Sequence, residues 1–151
     1  MSVDRSYVAE NDAQRERLRA LVMRLSDRDL AGPMDAGWTV AGVLAHVAFW
    51  DQRILVLLDA WERKGPSWTP PLEEAHDGDW INDAAKPLCL ALPPRVAADL
   101  ALSVAETVDR RVAAVSDAII EANARVGVLN WRRAEHRKEH LDEIERTLRR
   151  G

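Results

Sequence analysis

Apolar residues recur at helical spacing along nearly the whole chain, and this spacing is the strongest constraint on the fold. Over residues 4–25 they form one stripe of an amphipathic helix, with members one, three, four or seven positions apart. The stripe consists of Tyr7, Gln14, Leu18, Leu21, Val22 and Leu25. The strict alternation of apolar and polar residues that is typical of strands is nearly absent from the chain. The pattern therefore predicts an all-α fold.

Capping residues and helix breakers divide this pattern into five predicted helices. They span residues 4–25, 40–64, 80–90, 94–122 and 128–149. Thr39 is a typical N-cap for the second helix, and Gly65-Pro66 is a strong stop after its end. Pro94 suits the first turn of the fourth helix, where its missing N–H costs nothing. Pro87 could break the short helix at 80–90.

Four long helices in 151 residues predict a single four-helix-bundle domain over residues 1–151. The one long loop covers residues 65–79, where three prolines and two glycines disfavour regular structure. It would cross between the second and third long helices, either as a functional loop or as a simple connection. His76 lies in this loop, and we expect it to be exposed.

Charge, hydropathy and cysteine content exclude several classes of protein. The net charge of −4 leaves no strongly basic surface for nucleic acid. The first residues contain no apolar stretch typical of a secretory signal. Within 40–61 the most apolar run is interrupted by His46, Asp51, Gln52, Arg53 and Asp59, so we expect no membrane span. We therefore expect a cytoplasmic protein. Its single cysteine rules out an intrachain disulfide and a cysteine-cage metal site.

His136 and His140 are four residues apart on the last predicted helix, so their side chains stack on one face. Two imidazoles at this spacing can bind one metal ion. Ile144 lies one turn beyond His140 on the same face, so the two histidines border the side of the helix that packs on the core. On a helix this rich in arginine and glutamate, two solvated histidines are an equally simple interpretation.

His46 strengthens the metal-binding interpretation, because it lies in an apolar stretch of the second helix. Alone, it could be a core histidine that a neighbouring carbonyl or carboxylate satisfies. In a bundle, however, the second and last long helices can face each other, and metal sites in bundles are built from facing helices. Three imidazoles suit Zn²⁺, Ni²⁺ or Fe²⁺, and three protein ligands leave positions for water or substrate.

Three stretches of the chain carry a family resemblance. They are 25–50, which contains Gly37-Trp38-Thr39 and His46; 80–83, Trp-Ile-Asn-Asp; and 134–144, which contains His136 and His140. In order and spacing they resemble the DinB/YfiT-like superfamily. The resemblance implies a four-helix bundle in which these three histidines hold a divalent metal. It also implies kinship with thiol-dependent transferases and isomerases that use mycothiol, bacillithiol or glutathione, among them the metal-binding N-terminal domain of mycothiol-dependent maleylpyruvate isomerase.

Other residues are weaker candidates for roles around such a metal. Trp50 and Arg53 follow His46 by one and two turns and could wall the pocket or bind an anionic group of a cofactor or substrate. Asp51, Glu139 and Glu143 could orient a ligand imidazole, but a solvated helix face is the simpler interpretation of each.

Sulfur chemistry in this protein would depend on an external thiol. Cys89 lies between apolar residues, where we expect a buried, inert side chain. The chain contains no motif for a nucleophile of its own, so a low-molecular-weight thiol or water would have to supply one.

Three functional hypotheses remain open at this point. The first is a metal-dependent transferase, isomerase or hydrolase that acts on a small electrophile, with or without a thiol cofactor. The second is a non-catalytic protein that binds or sequesters a small molecule through the metal, as in stress or self-resistance. The third is a helical interaction module with incidental histidines. A homodimer is possible in each case, with Trp61 or Trp68 at the interface.

Overall fold

A computed structural model of the protein describes residues 2–68 and 78–151, and over these ranges its secondary structure is helical. The all-α prediction is confirmed. The seven α-helices are α1 (Tyr7–Arg24), α2 (Asp27–Leu30), α3 (Val40–Lys64), α4 (Gly78–Ala91), α5 (Pro94–Ala113), α6 (Asp117–Val126) and α7 (Arg133–Arg150). A single 3₁₀ turn, Asp35–Gly37, precedes α3. Most of the predicted long loop, including His76, lies outside the described residues.

The four long helices pack around a shared core. Both α3 and α1 contact α5 and α7, so each of the four contacts two others. The first half of the α5 face toward the core is made of small residues that have no exposed surface: Ala97, Ala98, Ala101 and Ala105. Small side chains let two helices approach closely, and here they bring α5 against α3. The short helix α4 packs on α3 beside Gly42, where a Cβ would stand only 2.8 Å from Leu90 Cδ2.

The second predicted helix has the bounds that the sequence indicated. α3 spans Val40–Lys64, and the Thr39 hydroxyl accepts a hydrogen bond of 2.9 Å from the Gly42 amide. Pro87 lies inside α4 without ending it. The predicted helix 94–122 is wrong as a single element, because it divides into α5 and α6. The division occurs at Ser116, whose hydroxyl accepts from the Ile119 amide and caps a new helix.

The last helix begins five residues later than predicted, at Arg133, because two buried asparagines hold the preceding segment in a non-helical path. The Asn123 side chain donates a hydrogen bond of 2.7 Å to the Leu129 carbonyl and accepts one of 2.8 Å from the Leu129 amide. Asn11 donates to the Trp131 carbonyl and accepts from the Ala134 amide, so it caps α7 from α1. These bonds fix the axial position of α7 relative to α1.

Helix α3 is the core helix. It is long and apolar enough to cross a membrane, yet two thirds of its most apolar window is buried inside the protein. Trp61 belongs to the same interior: it is 1% exposed and packs edge-on against Trp68. The suggestion that Trp61 lies at a dimer interface is therefore wrong.

Candidate metal centre

Three histidines from two helices converge on one point. His46 comes from α3, and His136 and His140 come from successive turns of α7. The Nε2 atom of His136 lies 3.2 Å from Nε2 of His46 and 3.1 Å from Nε2 of His140. Each ring offers one ligand atom to a group that fits within 4.8 Å. The structure therefore brings together the three residues that the sequence singled out.

Hydrogen bonding among the rings cannot satisfy this cluster. His136 Nε2 lies between the other two nitrogens, and it carries either a proton or a lone pair. It cannot donate to one neighbour while it accepts from the other. A cation can accept a lone pair from all three at once, and imidazole nitrogens suit Zn²⁺, Ni²⁺ and Fe²⁺. The donor set thus fits a divalent metal ion.

Burial keeps two of these rings neutral. Desolvation, together with a smaller repulsion from His140, lowers the pKa of His46 to about 4. Desolvation is also the main reason why the pKa of His136 falls to about 3, with His140 and Arg133 adding repulsion. Neutral imidazole is the form that binds metal. At neutral pH both rings are therefore ready to act as ligands without losing a proton.

The second nitrogens of the rings differ in their partners. His140 Nδ1 lies 3.2 Å from a carboxylate oxygen of Glu143, one turn along α7. Such a contact can hold an imidazole in one tautomer and orientation, which is one of the two interpretations of Glu143 that the sequence left open. Among the described residues, Nδ1 of His46 and Nδ1 of His136 are buried without a hydrogen-bond partner.

A cavity of about 510 Å³ opens beside the three histidines. That volume lies in the range of small-molecule sites. Its other lining residues are aromatic, amide and charged: Trp38, Trp50, Asn82, Asn130, Arg133 and Glu139. The Trp50 indole donates a 2.8 Å hydrogen bond to the Asn82 side chain, which ties α4 to α3 at the cavity wall. Trp38 meets His46 edge-on, with ring centroids 5.7 Å apart.

The weaker candidates lie in different places. Trp50 forms part of the cavity wall, whereas Arg53 is absent from the described lining and lies over the Trp50 ring, 5.7 Å from its centroid. Glu139 lines the cavity and is exposed. Asp51 neither orients an imidazole nor faces solvent, so both interpretations of it are wrong: it is completely buried against arginines of α7.

Comparison with known protein families agrees with this geometry. A family model described as the mycothiol maleylpyruvate isomerase N-terminal domain matches residues 12–145. The chain belongs to this family. The DinB-like resemblance noted in the sequence is thereby confirmed. Searches of curated proteins and of solved structures found no match.

This member of the isomerase N-terminal domain family contains a buried series of charges that sequence reasoning missed. Acidic and basic side chains alternate in contact across α1, α5, α7 and α3. We call this series the charge chain, and it runs through Asp12, Arg15, Asp109, Arg137, Asp51 and Arg133. It begins at the half-exposed Asp12 and ends at Arg133 in the cavity lining. The charge chain therefore connects the outer surface of α1 to the candidate metal centre.

Arg137 is the centre of the charge chain and has no exposed surface. Its guanidinium donates to Asp51 at 3.1 and 3.2 Å and to Asp109 at 2.7 and 2.8 Å. Burial disfavours its charge, but the two carboxylates outweigh that cost and raise the pKa of Arg137. Because Arg137 follows His136 directly, these contacts set the position of the α7 histidines relative to α3 and α5.

Cys89 takes no part in the centre. It lies in the interface between α4 and the core, with only 7% of its surface exposed, and burial raises the pKa of its thiol. A neutral, enclosed thiol is a poor nucleophile and a poor ligand. The expectation of a buried cysteine is confirmed in this family member.

Proposed function

We propose that His46, His136 and His140 bind one divalent metal ion in a four-helix bundle made by α1, α3, α5 and α7. The observation that carries this proposal is the convergence of three Nε2 atoms from α3 and α7. Membership of the isomerase N-terminal domain family supports it. Zn²⁺, Ni²⁺ and Fe²⁺ all suit three imidazoles, and geometry together with availability would choose among them.

The surrounding residues would give the centre an open side. Glu143 holds the ring of His140, while the charge chain holds α7 in place behind the histidines. Trp38 and Trp50 form part of the cavity wall, and the cavity has room for a small molecule beside the three histidines. When bound there, a divalent ion supplies a Lewis acid that favours the deprotonated form of a thiol or water.

We infer that the protein is a metal-dependent enzyme of the thiol transferase, isomerase or hydrolase type, acting on a small electrophile in the cytoplasm. Cys89 is enclosed, so the thiol would come from a low-molecular-weight cofactor such as the mycothiol in the family name. A second candidate is a non-catalytic protein that holds a small molecule at the metal. The cavity of about 510 Å³ beside the three histidines, which is large enough to hold a small molecule, supports this second candidate as well.

Metal analysis tests the site. Untagged protein should contain close to one divalent ion per chain, and His136→Ala and His140→Ala should each lose most of it. Lys138→Ala is the matched control, because Lys138 is exposed on the same helix and pairs only with Asp142 among the described residues. Circular dichroism should show an unchanged helical signal in all three variants. Metal content far below one per chain in the unaltered protein would contradict the proposal.

An activity assay separates the two functional candidates. The metallated protein would be incubated with mycothiol, bacillithiol or glutathione and a panel of small electrophiles. Turnover that depends on His140 would support the enzyme. Tight ligand binding without turnover across the whole panel would support the binding protein instead.

A further inference from the structure

The charge chain ends at the cavity with a positive group. Its members alternate in sign from Asp12 to Arg133, and every member between these two contacts an opposite charge on both sides. Among the described residues Arg133 contacts one opposite charge, the carboxylate of Asp51. That carboxylate is shared with Arg137. An anion in the cavity would continue the alternation.

The hydrogen bonds of Arg133 leave part of its guanidinium for such an anion. Nε donates to Asp51 at 2.8 Å, and Nη1 makes only a long contact of 3.5 Å with the Asn130 carbonyl. Within residues 2–68 and 78–151, Nη2 has no hydrogen-bond acceptor. The side chain is 7% exposed and lines the cavity together with His136. Its Nε contact therefore fixes a nearly buried cation beside the histidines.

We propose that Arg133 binds a carboxylate of the small molecule that occupies this cavity. A guanidinium fixed through Nε presents its remaining donors in a plane, which matches the geometry of a carboxylate. The indoles of Trp38 and Trp50 line the same cavity and suit a flat, apolar body attached to that carboxylate. The inference rests on the proposed small-molecule site and names the class of ligand that it takes.

Glu139 opposes the negative charge of that ligand. It is the one acidic residue in the described lining, and it opposes any anion that enters. Arg133 compensates one negative charge, and repulsion from Glu139 weakens the binding of an anion that lies close to it. Removal of the Glu139 charge should therefore strengthen the binding of a carboxylate at Arg133.

Calorimetric titration with benzoate and benzamide tests the inference, because the two probes share a flat ring and differ in the carboxylate. We expect metal-loaded protein to bind benzoate about tenfold or more tightly than benzamide, in keeping with a charge-assisted hydrogen bond. Arg133→Gln should remove that preference. Arg132→Gln is the matched control, because Arg132 pairs with Asp4 and Glu10 away from the cavity. An equal affinity of Arg133→Gln and unaltered protein for benzoate would overturn the inference.

Two further measurements keep the test decisive. Arg133→Gln removes a buried partner of Asp51 and could reduce folding, so Glu139→Gln serves as a second variant that should bind benzoate more tightly. Titration after chelation separates Arg133 from direct binding of benzoate to a metal. A preference that survives chelation supports the inference, and one that disappears overturns it. Metal content measured on the same samples reports separately on the proposed metal centre.

Discussion

The charge chain predicts that removal of one buried charge will cost far more stability than removal of the exposed one. The sharpest perturbation is Asp51→Asn, which keeps the shape and one oxygen of the side chain. Asp51 has no exposed surface and accepts three hydrogen bonds, one from Arg133 and two from Arg137. In the variant Arg133 loses its one carboxylate partner among the described residues, while Arg137 keeps Asp109.

The expected magnitude follows from the burial of both partners. Loss of one member of a buried ion pair costs about 3–5 kcal/mol, because the remaining charge stays in a poorly solvated place. The whole free energy of unfolding of a domain is only about 5–15 kcal/mol. For a domain of this size, such a loss corresponds to a decrease in Tm of roughly 6–20 °C. Asp12→Asn removes the half-exposed end of the same chain and should cost less than about 1 kcal/mol.

Urea unfolding followed by circular dichroism measures both variants. The comparison should use metal-free protein, since bound metal would add its own stabilisation to the folded state. A loss for Asp51→Asn that is no larger than that for Asp12→Asn would refute the reasoning. It would mean that Arg133 and Arg137 find water or other partners once the carboxylate is removed.

Two more predictions concern protonation and reactivity. The free energy of unfolding of the metal-free protein should decrease as the pH falls from about 6.5 toward 4, because the unfolded chain then binds protons on His46 and His136 that the folded protein excludes. Urea midpoints across that range check this, and midpoints that stay constant down to about pH 5, where carboxylates remain ionised, would contradict it. The Cys89 thiol should react with a disulfide reagent much more slowly in native than in urea-unfolded protein, because burial raises its pKa and blocks access. Similar rates in the two states would show that α4 detaches readily.

Helical periodicity made the histidine cluster one of the possible arrangements, and the resemblance to the DinB/YfiT-like superfamily implied it. His136 and His140 had to share a face of one helix, and His46 lay within the most apolar stretch of another. A bundle can bring two such faces together, but spacing alone also allowed a core His46 and two solvated histidines on the last helix. The cavity wall was less predictable, because Asn82 and Asn130 reach it through the packing of α4 and the segment before α7.

The charge chain could not be predicted in the same way. A charged residue on an amphipathic helix is ordinarily solvated, so the pattern alone gave Asp51 no reason to be buried. Its partners lie more than 80 positions away, on a helix rich in arginine and glutamate. Nothing local distinguishes Arg137 from its exposed neighbours. The break before α6 was missed for a different reason: apolar spacing continued through Val115, while the capping signal came from Ser116 alone.

The attachment of α4 bears on how a protein of this kind can change its ligand. The histidines are carried by helices of the core, whereas α4, whose only buried residue is Cys89, contributes Asn82 to the cavity lining. A mutation of Asn82 would alter what fits beside the candidate metal centre, while Cys89 and Leu90 would still attach α4 to the core. Selection for a new small molecule could therefore act on α4 with little loss of stability, and related chains should differ most at this helix.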